Sequence, residues 1–167
     1  LLTAHRHSSL VSGMVLMATA LEWRENRRER MIIRVARTLS RITSLPQLQY
    51  LFMKRMLPHG HEMRRFISWI VSENCRNNPR MIQQAGKALS TFDARSFAPA
   101  LNKPSSFVLT IRDSGVLPHK QQALAAAVNA QIVELDGDHM APIVMPREFA
   151  VATRQAVDLV VAAIQQR

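Results

Sequence analysis

The pattern of apolar runs predicts an α/β fold: three parallel strands, with a helical insertion after the first strand. Three short stretches, residues 11–20, 107–111 and 131–135, have the composition of buried strands. Segments of helical period lie between and after them, and alternation of strand and helix implies parallel pairing. The span between the first two strands is roughly 80 residues, too long for a simple crossover.

Taken in order, residues 1–10 read as the end of a helix followed by a turn. Residues 11–20, Val-Ser-Gly-Met-Val-Leu-Met-Ala-Thr-Ala, form the first apolar run. A signal peptide is the rival reading, because His5, Arg6 and His7 precede the run and Ala18-Thr19-Ala20 mimics a cleavage site. The basic group is mostly histidine, and Ser12 and Gly13 interrupt the run, so a strand buried on both faces fits better. From residue 22 to 41 the period is helical, with Trp23, Met31, Val35, Leu39 and Ile42 able to share a broad face. Further helical pieces cover residues 48–56, 61–71 and 81–92, punctuated by Pro46, by Pro58 and Gly60, and by Asn77-Asn78-Pro79. Beyond Pro104 come a strand at 107–111, a turn at Asp113-Ser114-Gly115 and an alanine-rich helix opened by Pro118. A strand at 131–135, a turn at Asp136-Gly137-Asp138 and a last helix from Pro146 complete the chain. The expected organisation is a core piece at 1–21, a helical cap or lid at 22–100, and a C-terminal core at 101–167.

Composition bounds the function. The chain has 167 residues, 47% of them hydrophobic, which is enough for a packed core. Cys75 is its one cysteine, which excludes an intrachain disulfide and suits a reducing, cytoplasmic compartment. No run reaches the roughly 18 apolar residues of a membrane-spanning helix. The net charge is +10, and arginines crowd one region: Arg24, Arg27, Arg28, Arg30, Arg34, Arg37, Arg41, Arg55, Arg64 and Arg65. Such a surplus favours anionic partners, including an anionic membrane surface to which the protein is peripheral. A basic helical module for nucleic acid or acidic surfaces is therefore the second function class. Nucleic acid is disfavoured, because the sequence has no helix-turn-helix spacing, zinc pattern or aromatic binding motif.

Candidate chemistry sits beyond the strand ends, where functional groups gather in open α/β sheets. Asp113 lies two residues after the second strand and His139 four residues after the third. Both should face the same rim of the sheet, from neighbouring loops. An acid and a histidine so placed suit a triad, in which the carboxylate orients the imidazole and the imidazole serves as base and acid. Other residues have plainer readings. Glu22 is an alternative acid but reads better as a helix-start residue. Asp136 and Asp138 read as turn formers, and Cys75 as a small packed residue. His59 and His61 flank Gly60 beside Glu62, without the further ligands a metal site needs. No metal and no cofactor are expected.

The segment from Pro104 to Phe149 resembles the last two strand–helix units of the α/β-hydrolase superfamily, of esterase and lipase type. Phe107-Val108-Leu109-Thr110-Ile111-Arg112-Asp113 matches the penultimate strand and acid turn, and Val116-Leu117-Pro118 the approach to the next helix. Gly137-Asp138-His139 matches the histidine turn, and Pro146-Arg147-Glu148-Phe149 the start of the final helix. Residues 5–20 resemble the end of the helix after the nucleophile and the next strand, after which cap helices commonly follow. The resemblance implies that Asp113 is the triad acid and that His139 is the base, and the apolar cap suggests a hydrophobic ester or acyl substrate in the complete protein.

One part of the pattern is missing. The glycines, Gly13, Gly60, Gly86, Gly115 and Gly137, never lie four apart, so there is no G-x-S-x-G nucleophile elbow in this chain. The chain looks like a family member cut just after its nucleophile, and is expected to be inactive alone. The nucleophile's identity stays open, with haloalkane and epoxide chemistry beside ester hydrolysis. The first strand is expected to carry an unpaired edge, covered by an N-terminal half or by a second copy of the chain. A non-catalytic remnant, or one subunit of a split hydrolase, is the remaining reading.

Overall fold

A computed structural model describes residues 1–23, 46–57 and 59–166. Most of the helix expected over residues 22–41, with most of the arginine cluster, lies outside the described residues. The chain forms two compact units, one of Leu1–Glu22 with Asp93–Arg167 and one of Trp23–Phe92.

The first unit holds the sheet. After a short helix α1 (Leu2–Arg6) and a 3-10 turn at Ser8–Leu10, the strands are β1 (Met14–Met17), β2 (Ser105–Thr110) and β3 (Gln131–Leu135). They run parallel in the order β1-β2-β3, with Met14 opposite Ser105 and Ser106 opposite Gln131. Every residue of β2 is buried, as a central strand covered on both faces requires.

β1 is shorter than the apolar run that announced it. Its N-terminal limit is Gly13, where a Cβ would overlap Val160 Cγ1 and come within 3.1 Å of the Pro104 carbonyl oxygen. At its other end Ala18 turns to φ 44°, a left-handed conformation that a strand cannot continue. β2 is shifted rather than shortened: it includes Ser105 and Ser106 and releases Ile111, which is 42% exposed. The Ser106 hydroxyl explains that polar start, since it donates to the Ala156 carbonyl at 2.7 Å in full burial.

In the described structure the helices of this unit are α1, α5 (Pro118–Ala127), α6 (Ala141–Val144) and α7 (Pro146–Gln165), numbered after three helices of the second unit. The four-residue α6 is an element that the sequence pattern did not announce. Helix α7 lies against all three strands, and Ala152 and Ala156 join Val108, Val133 and Leu135 in one core cluster. Small residues on that helix face let it approach the sheet closely. Helix α5 packs on β2 through its own buried face of Gln121, Leu124 and Ala125.

The second unit contains α2 (Pro46–Met56), α3 (Ile67–Arg76) and α4 (Pro79–Thr91). Pro46 is the first residue of α2, and the first turn is a place that proline favours. The piece expected over residues 61–71 starts as a 3-10 turn at Glu62–Phe66 and becomes α-helix only at Ile67. His61 caps that turn, its Nδ1 accepting from the Met63 N–H at 3.1 Å. Asn78 caps α4 in the same way, accepting from the Arg80 N–H at 2.9 Å. α2 packs against α3.

One single-residue reading is corrected: Cys75 is exposed, not packed, near the end of α3. Glu22 forms an antiparallel bridge with Asp93 and pairs with Arg95 at 3.1 Å, and the helix it was expected to start lies outside the described residues. Among the described residues no helix is long and apolar enough to cross a membrane.

Candidate acid–histidine site

The loops after β2 and β3 bring Asp113 and His139 together. His139 Nδ1 lies 3.1 Å from Asp113 Oδ2. The Asp113 side chain is fully buried, whereas that of His139 is 42% exposed, so the carboxylate is enclosed and the imidazole is accessible.

Each loop is held to its strand. The Ile111 N–H donates to the Leu135 carbonyl at 3.1 Å and the Arg112 N–H to the Gly137 carbonyl at 3.0 Å, extending the β2–β3 pairing into both loops. Arg112 adds an exposed ion pair with Asp136 at 2.8 Å, a contact of small energetic weight. Asp138 accepts from the Met140 N–H at 2.8 Å and shapes the turn that presents His139. Gly137 leaves room there for the Met145 sulfur, which a Cβ would approach to 2.8 Å.

Around the carboxylate, every close group is a donor. Oδ1 accepts from the Gly115 N–H at 2.7 Å and the Val116 N–H at 2.8 Å. Oδ2 accepts from the Thr110 hydroxyl at 2.9 Å, with the Gln121 amide nitrogen at 3.4 Å. An ionised carboxylate has about four acceptor sites, so this partner set uses its capacity nearly in full. Against such an oxygen, Nδ1 of His139 must donate, which leaves Nε2 of a neutral imidazole as the basic nitrogen.

Sequence reasoning located Asp113 and His139 but missed Thr110, Gln121 and Gly115. Gln121 did leave a signal: it is a long polar side chain three and four positions before Leu124 and Ala125, on the face the alanine-rich helix buries. Gly115 read only as a turn residue, yet a Cβ there would stand 2.9 Å from His139 Cγ and 3.1 Å from its Nδ1. His59 and His61 belong to the second unit, and among the described residues no group of three or more His, Cys, Asp or Glu could hold a metal ion.

Comparison with solved structures decides the fold. A hydrolase from Pseudomonas aeruginosa PA01 superposes with TM-score 0.74 at 12% identity, over 93% of this chain and 59% of the other. The enol-lactonase from Burkholderia xenovorans LB400 gives 0.71 at 21%, over 95% and 60%. MGS-M2, an α/β hydrolase from a Medee basin deep-sea metagenome library, gives 0.65 at 15%, over 93% and 58%. This is the α/β-hydrolase fold. The chain spans about 60% of the length of these α/β-hydrolase structures. No family profile matches the sequence, and no curated protein sequence is similar to it.

Proposed function

We propose that this chain supplies the acid and the base of a hydrolytic triad, Asp113 and His139, and that the complete protein hydrolyses carboxylic esters. The observation that carries the reading is the 3.1 Å contact between an enclosed carboxylate and an accessible imidazole on adjoining strand-end loops. The solved hydrolases of the same fold support the reaction class. The substrate of the complete protein is a hydrophobic ester or acyl compound, in keeping with the apolar composition of the proposed cap.

In this reading a serine outside the present sequence attacks the carbonyl carbon. Its proton passes to Nε2 of His139, and Asp113 stabilises the resulting imidazolium. The imidazolium then protonates the departing alkoxide, and the same nitrogen later takes a proton from the water that attacks the acyl-enzyme and returns it to the serine oxygen as the acid leaves. The triad needs that nucleophile, so this chain alone is proposed to be inactive and to act as the C-terminal portion of a hydrolase or as one subunit of a split one. Residues 22–100 are proposed as its cap.

The test begins upstream of Leu1 in the coding sequence, where an in-frame strand–G-x-S-x-G–helix segment is expected. The protein so encoded should hydrolyse p-nitrophenyl acyl esters. Asp113→Asn should lower kcat by about 10⁴-fold and His139→Ala by about 10⁶-fold, the usual scale for a lost triad acid and base. Ester hydrolysis that both variants leave unchanged would remove the proposal.

A further inference from the structure

Gln121 is fully buried on an alanine-rich helix, and its hydrogen bonds have one self-consistent arrangement. The Val116 carbonyl, 2.7 Å from Nε2, can only accept, so the amide nitrogen faces it. The Thr110 N–H, 3.2 Å from Oε1, can only donate, so the amide oxygen faces that. The second Nε2 hydrogen goes to Thr110 Oγ1 at 3.0 Å. Thr110 has one hydroxyl hydrogen, and Asp113 Oδ2 at 2.9 Å claims it, because a carboxylate offers only acceptors. Donation therefore runs in one direction, from Gln121 to Thr110 to Asp113, and His139 Nδ1 meets the same Oδ2 at 3.1 Å.

The two backbone donors on Oδ1 anchor one end of the carboxylate. Rotation about the Cβ–Cγ bond, a soft torsion for aspartate, moves both oxygens, so a donor on each resists it more than donors on Oδ1 alone. The Thr110 hydroxyl on Oδ2 supplies the second anchor. We propose that Thr110 and Gln121 are positioning residues: they hold the Asp113 plane so that Oδ2 accepts from His139 Nδ1–H. This keeps neutral His139 in the tautomer whose Nε2 can take a proton. The proposal rests on the acid–histidine reading and assigns two further residues to that site.

Nitrogen-15 NMR of the histidine-labelled chain tests it, above the pH at which imidazole is charged, by the ratio of the Nδ1–H to the Nε2–H tautomer of His139. Thr110→Val removes the hydroxyl at nearly constant shape, Thr110→Ser keeps it and removes the methyl, and Gln121→Met removes the amide at similar length. Thr110→Val and Gln121→Met should lower the ratio by about two- to tenfold, the effect of one net hydrogen bond on an equilibrium. Thr110→Ser should match the wild type. A wild-type ratio in Thr110→Val, or a loss in Thr110→Ser equal to that in Thr110→Val, overturns the proposal and leaves the pair as packing. Asp113→Asn separates this from failure of the underlying reading: if it too leaves the ratio unchanged, Asp113 does not orient His139 at all. Should Gln121→Met fail to fold by circular dichroism, the two Thr110 variants decide alone.

Discussion

At Gly115 the requirement for glycine comes from a neighbour, not from the backbone. Its conformation is one that any residue can adopt, but a Cβ would press on the His139 ring at 2.9 Å. Gly115→Ala should therefore separate stability from site geometry. Less freedom in the unfolded chain stabilises by about 0.4–1 kcal/mol where the native conformation is compatible, which roughly offsets the cost of moving a half-exposed ring. The melting temperature should barely change, while the His139–Asp113 hydrogen bond lengthens and its downfield Nδ1–H resonance is lost. A wild-type resonance in Gly115→Ala would show that the ring yields without leaving the carboxylate. Asp93 presents a different residue-scale effect. The Arg95 guanidinium and N–H bound to it hold its carboxyl down to about 2, from an ordinary 3.8. A lowered folded-state value means that the folded chain binds fewer protons than the unfolded one between those two values. The contribution is thus complete above about pH 4 and is lost as pH falls toward 2. Both partners are exposed, so its size is small. Arg95→Ala removes the guanidinium and keeps the backbone N–H, so it should raise the Asp93 titration, followed by carbon-13 NMR, part of the way toward the ordinary carboxylate range.

Among the elements, legibility followed how local the determining contact was. β3 stands at Gln131–Leu135, the same residues the sequence pattern marked, because a turn with Asn129 at φ 56° and the Asp136-Gly137 pair bound it on both sides. α7 starts at the expected Pro146 for an equally local reason, proline in a helix's first turn. β1 was harder to delimit. Its start depends on Val160, nearly 150 residues away along the chain, and no local pattern carries that information. The candidate site divides in the same manner. Asp113 and His139 were legible because strand ends and turns locate them. Thr110 and Gln121 were not, since a threonine in a strand and a glutamine in a helix are ordinary until the fold buries them against the carboxylate. Small helices such as α6 leave too few residues for a period to be read.

For the whole molecule, the open edge of β1 has the largest consequence. Among the described residues β1 pairs on one side only, with β2. The Met14 N–H donates to the Pro104 carbonyl at 2.8 Å, toward β2. Alternation along a strand then turns the N–H groups of Val15 and Met17 to the open edge. Unpaired donors beside partly buried apolar side chains form a template for another strand, whether from the N-terminal half of the proposed hydrolase or from a second copy of this chain. In isolation the chain should self-associate as concentration rises, and melt without a sharp cooperative transition. Val15→Pro tests the edge directly. Proline deletes an outward-facing donor, leaves the bonds to β2 in place, and suits an edge strand. It should shift sedimentation toward the monomer at a cost of about 1 kcal/mol in packing. If the wild-type chain is already monomeric over the whole concentration range and unfolds in one cooperative step, β1 has no exposed pairing edge in solution. The case for a missing neighbour on that side of the sheet then fails, while the Asp113–His139 geometry is untouched.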